Sequence, residues 1–285
     1  MKTVLTVGSL HYDIMVAADH LPQKDETVAG SHWYPKFGGK GGNQAVAAAR
    51  AGATSRMIGA VGDDAFGTFL RQHLGIAGVQ HTHVITIPSI GSGISVAIQD
   101  SAGDYAATIV SGANLHIDPA VFDNPDIWSD VALLVLQNEI PDQINLIAAR
   151  MARRKGIRTV LNAAPFRNLS SELSGLIDIL VVNAVEAEMT GTAPVNCLSS
   201  ASDAATSLSA GFATVIVTAG SAGLAASGPG NFQLQLPADK VHVVSSHGAG
   251  DAFVGTLAAR LAANVSLHLA CQDASHAAAL HVSNQ

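Results

Sequence analysis

The chain has 285 residues, 48% of them hydrophobic and 13% charged. That balance excludes an intrinsically disordered chain and suffices for one large domain. A net charge of −7 argues against nucleic-acid partners, which need a basic face. No apolar run approaches the roughly 18–20 residues that span a bilayer, so no membrane partner is expected. Two cysteines, Cys197 and Cys271, exclude a disulfide framework, a Cys-rich zinc site and an iron–sulfur cluster.

The first ten residues hold one lysine and a short apolar run before His11 and Asp13. They read as a buried strand over 4–7 rather than a signal peptide, which implies a cytoplasmic chain. Residues 27–37 mix aromatic and polar side chains without helical period. An Ala-rich helix over 43–50 is stopped by Gly52. A short strand at 57–61 follows, then an amphipathic helix over 66–74, with Phe66, Phe69, Leu70 and Leu74 on one face. Residues 94–99 and 105–110 read as two strands of a hairpin joined through 100–103. The apolar run 131–136 predicts a strand buried on both faces. The helix over 141–155 has Pro141 near its first turn, basic residues in its last and Gly156 after it. Strands at 158–161, 179–182 and 214–218 and a long helix over 252–263 complete the alternation. Strands separated by helices mean βαβ units: an α/β, three-layer αβα Rossmann-like core with a mainly parallel sheet. Segments 27–37 and 93–110 break the rhythm and predict a small antiparallel flap outside that sheet.

Chemistry concentrates at a few glycine-rich junctions. His247-Gly248-Ala249-Gly250-Asp251 stands just before the last long helix. Bare N–H groups at Gly248, Ala249 and Gly250, with the positive end of a helix, make an anion hole for developing phosphate charge. Asp251, at the helix start, is expected to be ionised near pH 7 and able to accept a proton from an attacking hydroxyl. The same residues also suit an ordinary helix start with an Asp cap. Gly38-Gly39-Lys40-Gly41-Gly42-Asn43 lacks Walker spacing. Its bare backbone permits close approach by a polyol, with Lys40 and Asn43 offering hydrogen bonds; the alternative is a flexible loop capped by Asn43. Asn183 and Glu186 follow a strand and suit hydrated Mg²⁺ and phosphate, or else a helix-capping pair. Thr218, Gly220, Ser221 and Gly223 follow another strand, as a nucleotide loop or a plain turn. Asp13 and Glu139 each follow an apolar strand. The twelve histidines are scattered, without a metal-binding spacing.

In this order the motifs closely resemble the ribokinase branch of the pfkB-type carbohydrate kinases. The set comprises Gly8-Ser9 with Asp13, the Gly-Gly-Lys40-Gly-Gly-Asn43 run, Ser111-Gly112-Ala113-Asn114, Glu139, Asn183 with Glu186, and Gly248-Ala249-Gly250-Asp251. The likeness runs from about residue 4 to about residue 280. It implies a single kinase domain over 1–285 with a β lid inserted at about 11–37 and 91–111. It implies transfer of the γ-phosphate of ATP to a primary hydroxyl of a small sugar, ribose first among the acceptors. Asp251 would be the base and residues 248–250 the anion hole. His11, Asp13, Gly39, Lys40, Gly41, Gly42, Asn43 and Glu139 would bind the sugar. Asn183, Glu186, Thr218, Gly220, Ser221 and Gly223 would bind nucleotide, with Glu186 reaching Mg²⁺ through water. The lid would cover the sugar and form a homodimer contact.

Three departures stand out. His11 occupies a position where the family usually has Asn. Ser245 stands where an Asp usually helps bind a monovalent cation. The chain stops at Gln285, short of the family's segment with further cation-ligating carbonyls and one side of the adenine pocket. The first bears on the choice of sugar; the last two together imply a monovalent-cation site that is absent or degraded. A nucleoside kinase or a kinase of another sugar is the nearest alternative function; a sugar-binding protein without catalysis is the alternative from another class.

Overall fold

The alternation of strand and helix read from the sequence folds into one large sheet and one small one. The computed structural model describes residues 2–102 and 105–283; part of the 100–103 connection and the chain's last two residues lie outside them. In chain order, β1 (Thr3–Val7) leads into β2 (His11–Ala18) and β3 (Gly30–Gly38), followed by α1 (Lys40–Arg50), β4 (Thr54–Gly62), α2 (Ala65–Ile76) and β5 (Gln80–Ile87). Then come β6 (Ile94–Gln99), β7 (Tyr105–Val110), β8 (Val131–Gln137), α3 (Asp142–Arg154) and β9 (Arg158–Asn162). Short α4 (Ser171–Ser174), β10 (Ile179–Asn183), α5 (Ala184–Met189), α6 (Leu198–Leu208) and β11 (Thr214–Thr218) precede the edge hairpin β12 (Leu224–Gly228) and β13 (Phe232–Leu236). Two helices, α7 (Ala249–Ala262) and α8 (Leu267–Ser283), close the chain.

The large sheet has the order β13-β12-β11-β10-β9-β8-β1-β4-β5. From β11 to β5 every pairing is parallel; β12 and β13 add an antiparallel edge. Parallel strands need crossovers, and the helices that supply them cover both faces. Alternation along β1 shows the result. Leu5 and Val7 join the core with Leu134, Leu136, Ala148 and Ala152, whereas Val4 joins the opposite core with Leu133, Val135, Leu257 and Leu261. Every residue of β1 is buried, as the apolar run demands. Among the described residues no helix is long and apolar enough to cross a membrane.

The small sheet has the order β3-β2-β6-β7. β2–β3 and β6–β7 are antiparallel hairpins, and the two hairpins meet along a parallel β2–β6 seam. It is tied to the large sheet at its four chain crossings. Asn114 closes one of them, accepting from Leu10 N and donating to Leu10 O, each at 2.9 Å. Asp64, the cap of α2, closes another by accepting from Ser92 N at 2.8 Å and Ser92 Oγ at 2.7 Å.

Two helix starts differ from their sequence positions, and both matter for the site. α1 begins at Lys40 rather than 43, and α7 at Ala249 rather than 252. Each follows a glycine in the left-handed region, Gly39 at φ 87° and Gly248 at φ 81°, which turns the chain sharply into the helix. Neither N-cap residue, being glycine, supplies a side-chain cap of its own. Asp251 therefore lies inside the first turn of α7, directed back into the protein, and is not its cap.

Candidate active site

The carboxyl ends of parallel strands gather the site, as the crevice rule for open α/β sheets requires. β1 delivers Gly8 and Ser9, β8 delivers Asn138 and Glu139, and β10 and β11 end at the register partners Asn183 and Thr218. α1 and α7, packed against each other, bring their N-termini to this edge.

The start of α1 is closed by the protein itself. Glu139 Oε2 accepts from Lys40 N at 2.8 Å and from Ser9 Oγ at 2.5 Å, and Ser9 Oγ accepts from Gly41 N at 3.3 Å. Gly42 N donates to Ser9 O at 2.9 Å. The backbone that the sequence opened to a polyol is thus largely spent on Glu139 and Ser9, because orphan amides at a helix start need acceptors. The glycines have a packing reason. A Cβ on Gly41 would stand 2.6 Å from the Gly8–Ser9 backbone, and one on Gly42 2.7 Å from Leu10 and Phe37. Lys40 and Asn43 keep their side chains for the site.

The start of α7 is open. Ala249 N is turned onto Ser246 O at 3.4 Å, so it is not a free donor as the sequence suggested; the left-handed Gly248 forces that turn. The N–H groups of Gly248 and Gly250 have no hydrogen-bond partner among the described residues, and nothing lies within 4 Å of a Cβ built on Gly250.

Asp251 is 7% exposed. Gln44 Nε2 donates to its Oδ1 at 2.9 Å and Asn43 Nδ2 to its Oδ2 at 3.1 Å. Burial pushes its carboxyl above the usual carboxylate range; the Lys40 charge, Gln44 and Asn43 pull it back. Desolvation is the largest influence on this carboxyl, so the helix start alone does not set its proton affinity. Asp13 is pushed up to about 7, first by burial and then by Glu139, against a smaller opposing pull from Lys36. Its Oδ1 is buried without a partner, and its Oδ2 lies 4.0 Å from His247 Nε2. His11 is buried, with Nδ1 3.9 Å from Glu139 Oε2 and Nε2 unpartnered. Burial lowers its pKa, which favours the neutral ring. A cavity of about 420 Å³ opens beside His11 and Glu139, between Ile109 of the small sheet and Arg167 of the loop after β9.

At the end of β10, Asn183 and Glu186 form a capping box: Glu186 N donates to Asn183 Oδ1 at 2.8 Å and Asn183 N to Glu186 Oε2 at 2.9 Å. The box uses one carboxylate oxygen. Burial raises the Glu186 pKa, and the charges of Lys40 and Asp251 both bear on it. Gly220 and Gly223 have φ of 54° and 110°, and Thr218 and Ser221 flank this bend. Among the described residues no three His, Cys, Asp or Glu side chains are arranged to hold a metal ion.

Four supporting residues were not legible as such. Ser9, Gln44, Asn114 and Gln137 have no chemistry of their own; they hold Glu139, Asp251, the 9–11 backbone and the 137–139 turn. Gln137 Nε2 donates to Val7 O at 2.8 Å, and its Oε1 accepts from Glu139 N at 3.1 Å. Ser9 and Asn114 did lie inside the quoted motifs, which was the one signal available.

The partner-free amides at the start of α7 and the buried carboxyls of Asp13 and Asp251 lie at the carboxyl edge of a Rossmann-like sheet. The profile of the pfkB family carbohydrate kinases matches residues 1–285. The ribokinase of Haemophilus influenzae is 30% identical over 286 residues, covering 100% of this chain and 93% of that protein. The ribokinase of Bacillus subtilis is 32% identical over 283 residues, covering 99% and 93%. The structure of Arabidopsis thaliana ribokinase complexed with ribose and ATP superposes with a TM-score of 0.91 at 28% identity, covering 99% of this chain and 92% of that one. The chain belongs to the pfkB family of carbohydrate kinases, and within it to the ribokinase-like sugar kinases, phosphotransferases that act on a sugar hydroxyl.

Proposed function

We propose that this kinase transfers the γ-phosphate of ATP to a primary hydroxyl of a small sugar, with ribose the leading acceptor and Asp251 the base. The observation that carries the reading is the Asp251 carboxylate. It is held between Asn43 and Gln44, one residue beyond the open Gly250 amide. The relatives at about 30% identity and the ribose- and ATP-bound Arabidopsis structure support acceptor and donor.

Asp13, Asn43 and Glu139 fix the sugar, with His11 beside them. The acceptor hydroxyl faces Asp251, whose raised proton affinity suits it to take the hydroxyl proton. The new O–P bond forms as the P–O bond to ADP breaks, and the electron pair leaves on the ADP oxygen. Gly248 and Gly250 N–H groups stabilise charge on the moving phosphoryl oxygens. The transition state is loose, so early proton removal is not required. The bend at Thr218, Gly220, Ser221 and Gly223 fits a nucleotide, because nothing lies within 4 Å of a Cβ built on Gly220. Glu186, with its second oxygen outside the capping box, and Asn183 would hold Mg²⁺ through water. That ion supplies positive charge to the phosphates.

The whole chain acts as one catalytic unit, with segments 11–37 and 91–111 as the lid that excludes water. Trp33, Tyr34, Ile109 and Val110 stand exposed on the small sheet and suit a homodimer contact. The reading is of a cytoplasmic enzyme. The 420 Å³ cavity lies within the roughly 300–1,000 Å³ of small-molecule sites, so nucleosides belong in the acceptor panel beside ribose, deoxyribose and hexoses. The test is acceptor-dependent ADP release across that panel, with Asp251→Asn alongside. We expect release with ribose and a kcat loss of at least about 10²-fold in the variant. Sugar binding by calorimetry without ADP release would defeat the reading in favour of a non-catalytic binder. A near-normal kcat in Asp251→Asn would remove Asp251 from its role.

A further inference from the structure

The last helix reaches the anion-binding turn. α8 buries Ala270, Cys271 and Ala274, with Ala278 packed against the same core. Steps of three and four residues carry this stripe on to His281 and Val282 in the final turn. Small side chains let α8 lie close along α7, so the stripe ends beside Gly248. There Val282 O accepts from Val244 N at 2.8 Å and from Ser245 N at 3.3 Å. His281 Nε2 is hydrogen-bonded to His247 O at 3.1 Å. A carbonyl only accepts, so Nε2 carries the proton. The same nitrogen stands 2.9 Å from the place of a Cβ on Gly248.

We infer that His281 is a positioning residue for phosphoryl transfer: by holding the His247 carbonyl it aims the Gly248 N–H. The two groups belong to one planar trans peptide unit and point in opposite directions. Fixing the oxygen from the α8 side therefore fixes the donor on the site side, where Gly248 N–H has no partner among the described residues. A donor aimed in advance needs no reorganisation when charge develops. Glycine at 248 leaves the turn soft, so an external hold is needed.

The consequence for turnover rests on the kinase reading; the hold itself does not. The test uses His281→Ala and His281→Gln in the full chain, the Gln amide nitrogen reaching where Nε2 stands. The ¹⁵N order parameter of Gly248 should fall from about 0.85 to below about 0.7 in His281→Ala and recover in His281→Gln. kcat should fall about 10- to 100-fold in His281→Ala, return to within about threefold in His281→Gln, and leave acceptor Kd without nucleotide unchanged within about twofold. An unchanged Gly248 order parameter in His281→Ala overturns the inference. So does a Gln variant as impaired as the Ala variant, or acceptor binding lost in step with turnover. If the parent protein releases no sugar-dependent ADP, the kinase reading fails, and the order parameters alone decide the inference.

Discussion

Asp13 gives the sharpest test of the site's electrostatics. Its carboxyl is pushed up to about 7 by burial and by Glu139, and its Oδ1 has no partner. The displacement from the ordinary value amounts to about 4 kcal/mol against the ionised form. The sign follows from proton counts. Between the unfolded and folded pKa values the folded state binds more protons, so stability falls as pH rises through that window. The penalty is absent below about pH 4 and complete above about pH 7. Asp13→Asn removes it. Its buried amide adds a constant offset, so the diagnostic is the change with pH. Between pH 5 and pH 8 the variant should gain about 3 kcal/mol relative to the parent, because titrating groups not coupled to Asp13 cancel in the difference. Urea unfolding at half-unit pH steps reads this directly. A stability difference that stays flat from pH 5 to pH 8 refutes the account of a desolvated, charge-crowded Asp13. The same group should make ribose binding tighten as pH rises through about 7, since a bound hydroxyl donates best to the ionised carboxylate. Calorimetry near that pH should record proton release on binding.

Gly39→Ala sets a Cβ at φ 87° within 2.7–2.8 Å of His11 N, Leu10 Cα and Ser9 O. The expected cost is about 2 to 4 kcal/mol in thermal or urea unfolding, and a loss below about 1 kcal/mol contradicts that geometry. Cys197 is exposed, with its thiol pKa lowered by Ser200, whereas the buried Cys271 thiol is pushed up to about 12. One thiol should react with a disulfide reagent in the native protein and two in urea. The Ser245 hydroxyl is a neutral group that accepts from His247 N at 3.3 Å. Turnover is therefore expected to be the same in millimolar K⁺, Na⁺ or choline, and strong stimulation by K⁺ alone would show a cation site.

Much of the frame was legible because short-range physics dictates it. The apolar run 131–136 has to be a doubly buried strand, and β8 is that strand with Gln137 added. The hairpin strands 94–99 and 105–110 agree with β6 and β7. Elements whose pattern is weak went unread. α8 is Ala-rich with little polar contrast between its faces, and the β12–β13 hairpin is a short edge. β2, which carries His11 and Asp13, went unread as a separate strand, and its parallel partner β6 lies far along the chain.

The sequence by itself determined the α/β class, the family resemblance and the residue types at the strand ends. These depend on periodicity and on motifs whose members are close in the chain. Only the tertiary structure decided which amides remain open. Two Gly-rich helix starts look alike in sequence. One is capped by Glu139 across 99 residues, and the other is left free and braced by His281 across 34. It also decided the charge balance: burial raises the proton affinity of both Asp13 and Asp251. Desolvation and long-range hydrogen bonds depend on neighbours brought together by folding, and no local spacing encodes them.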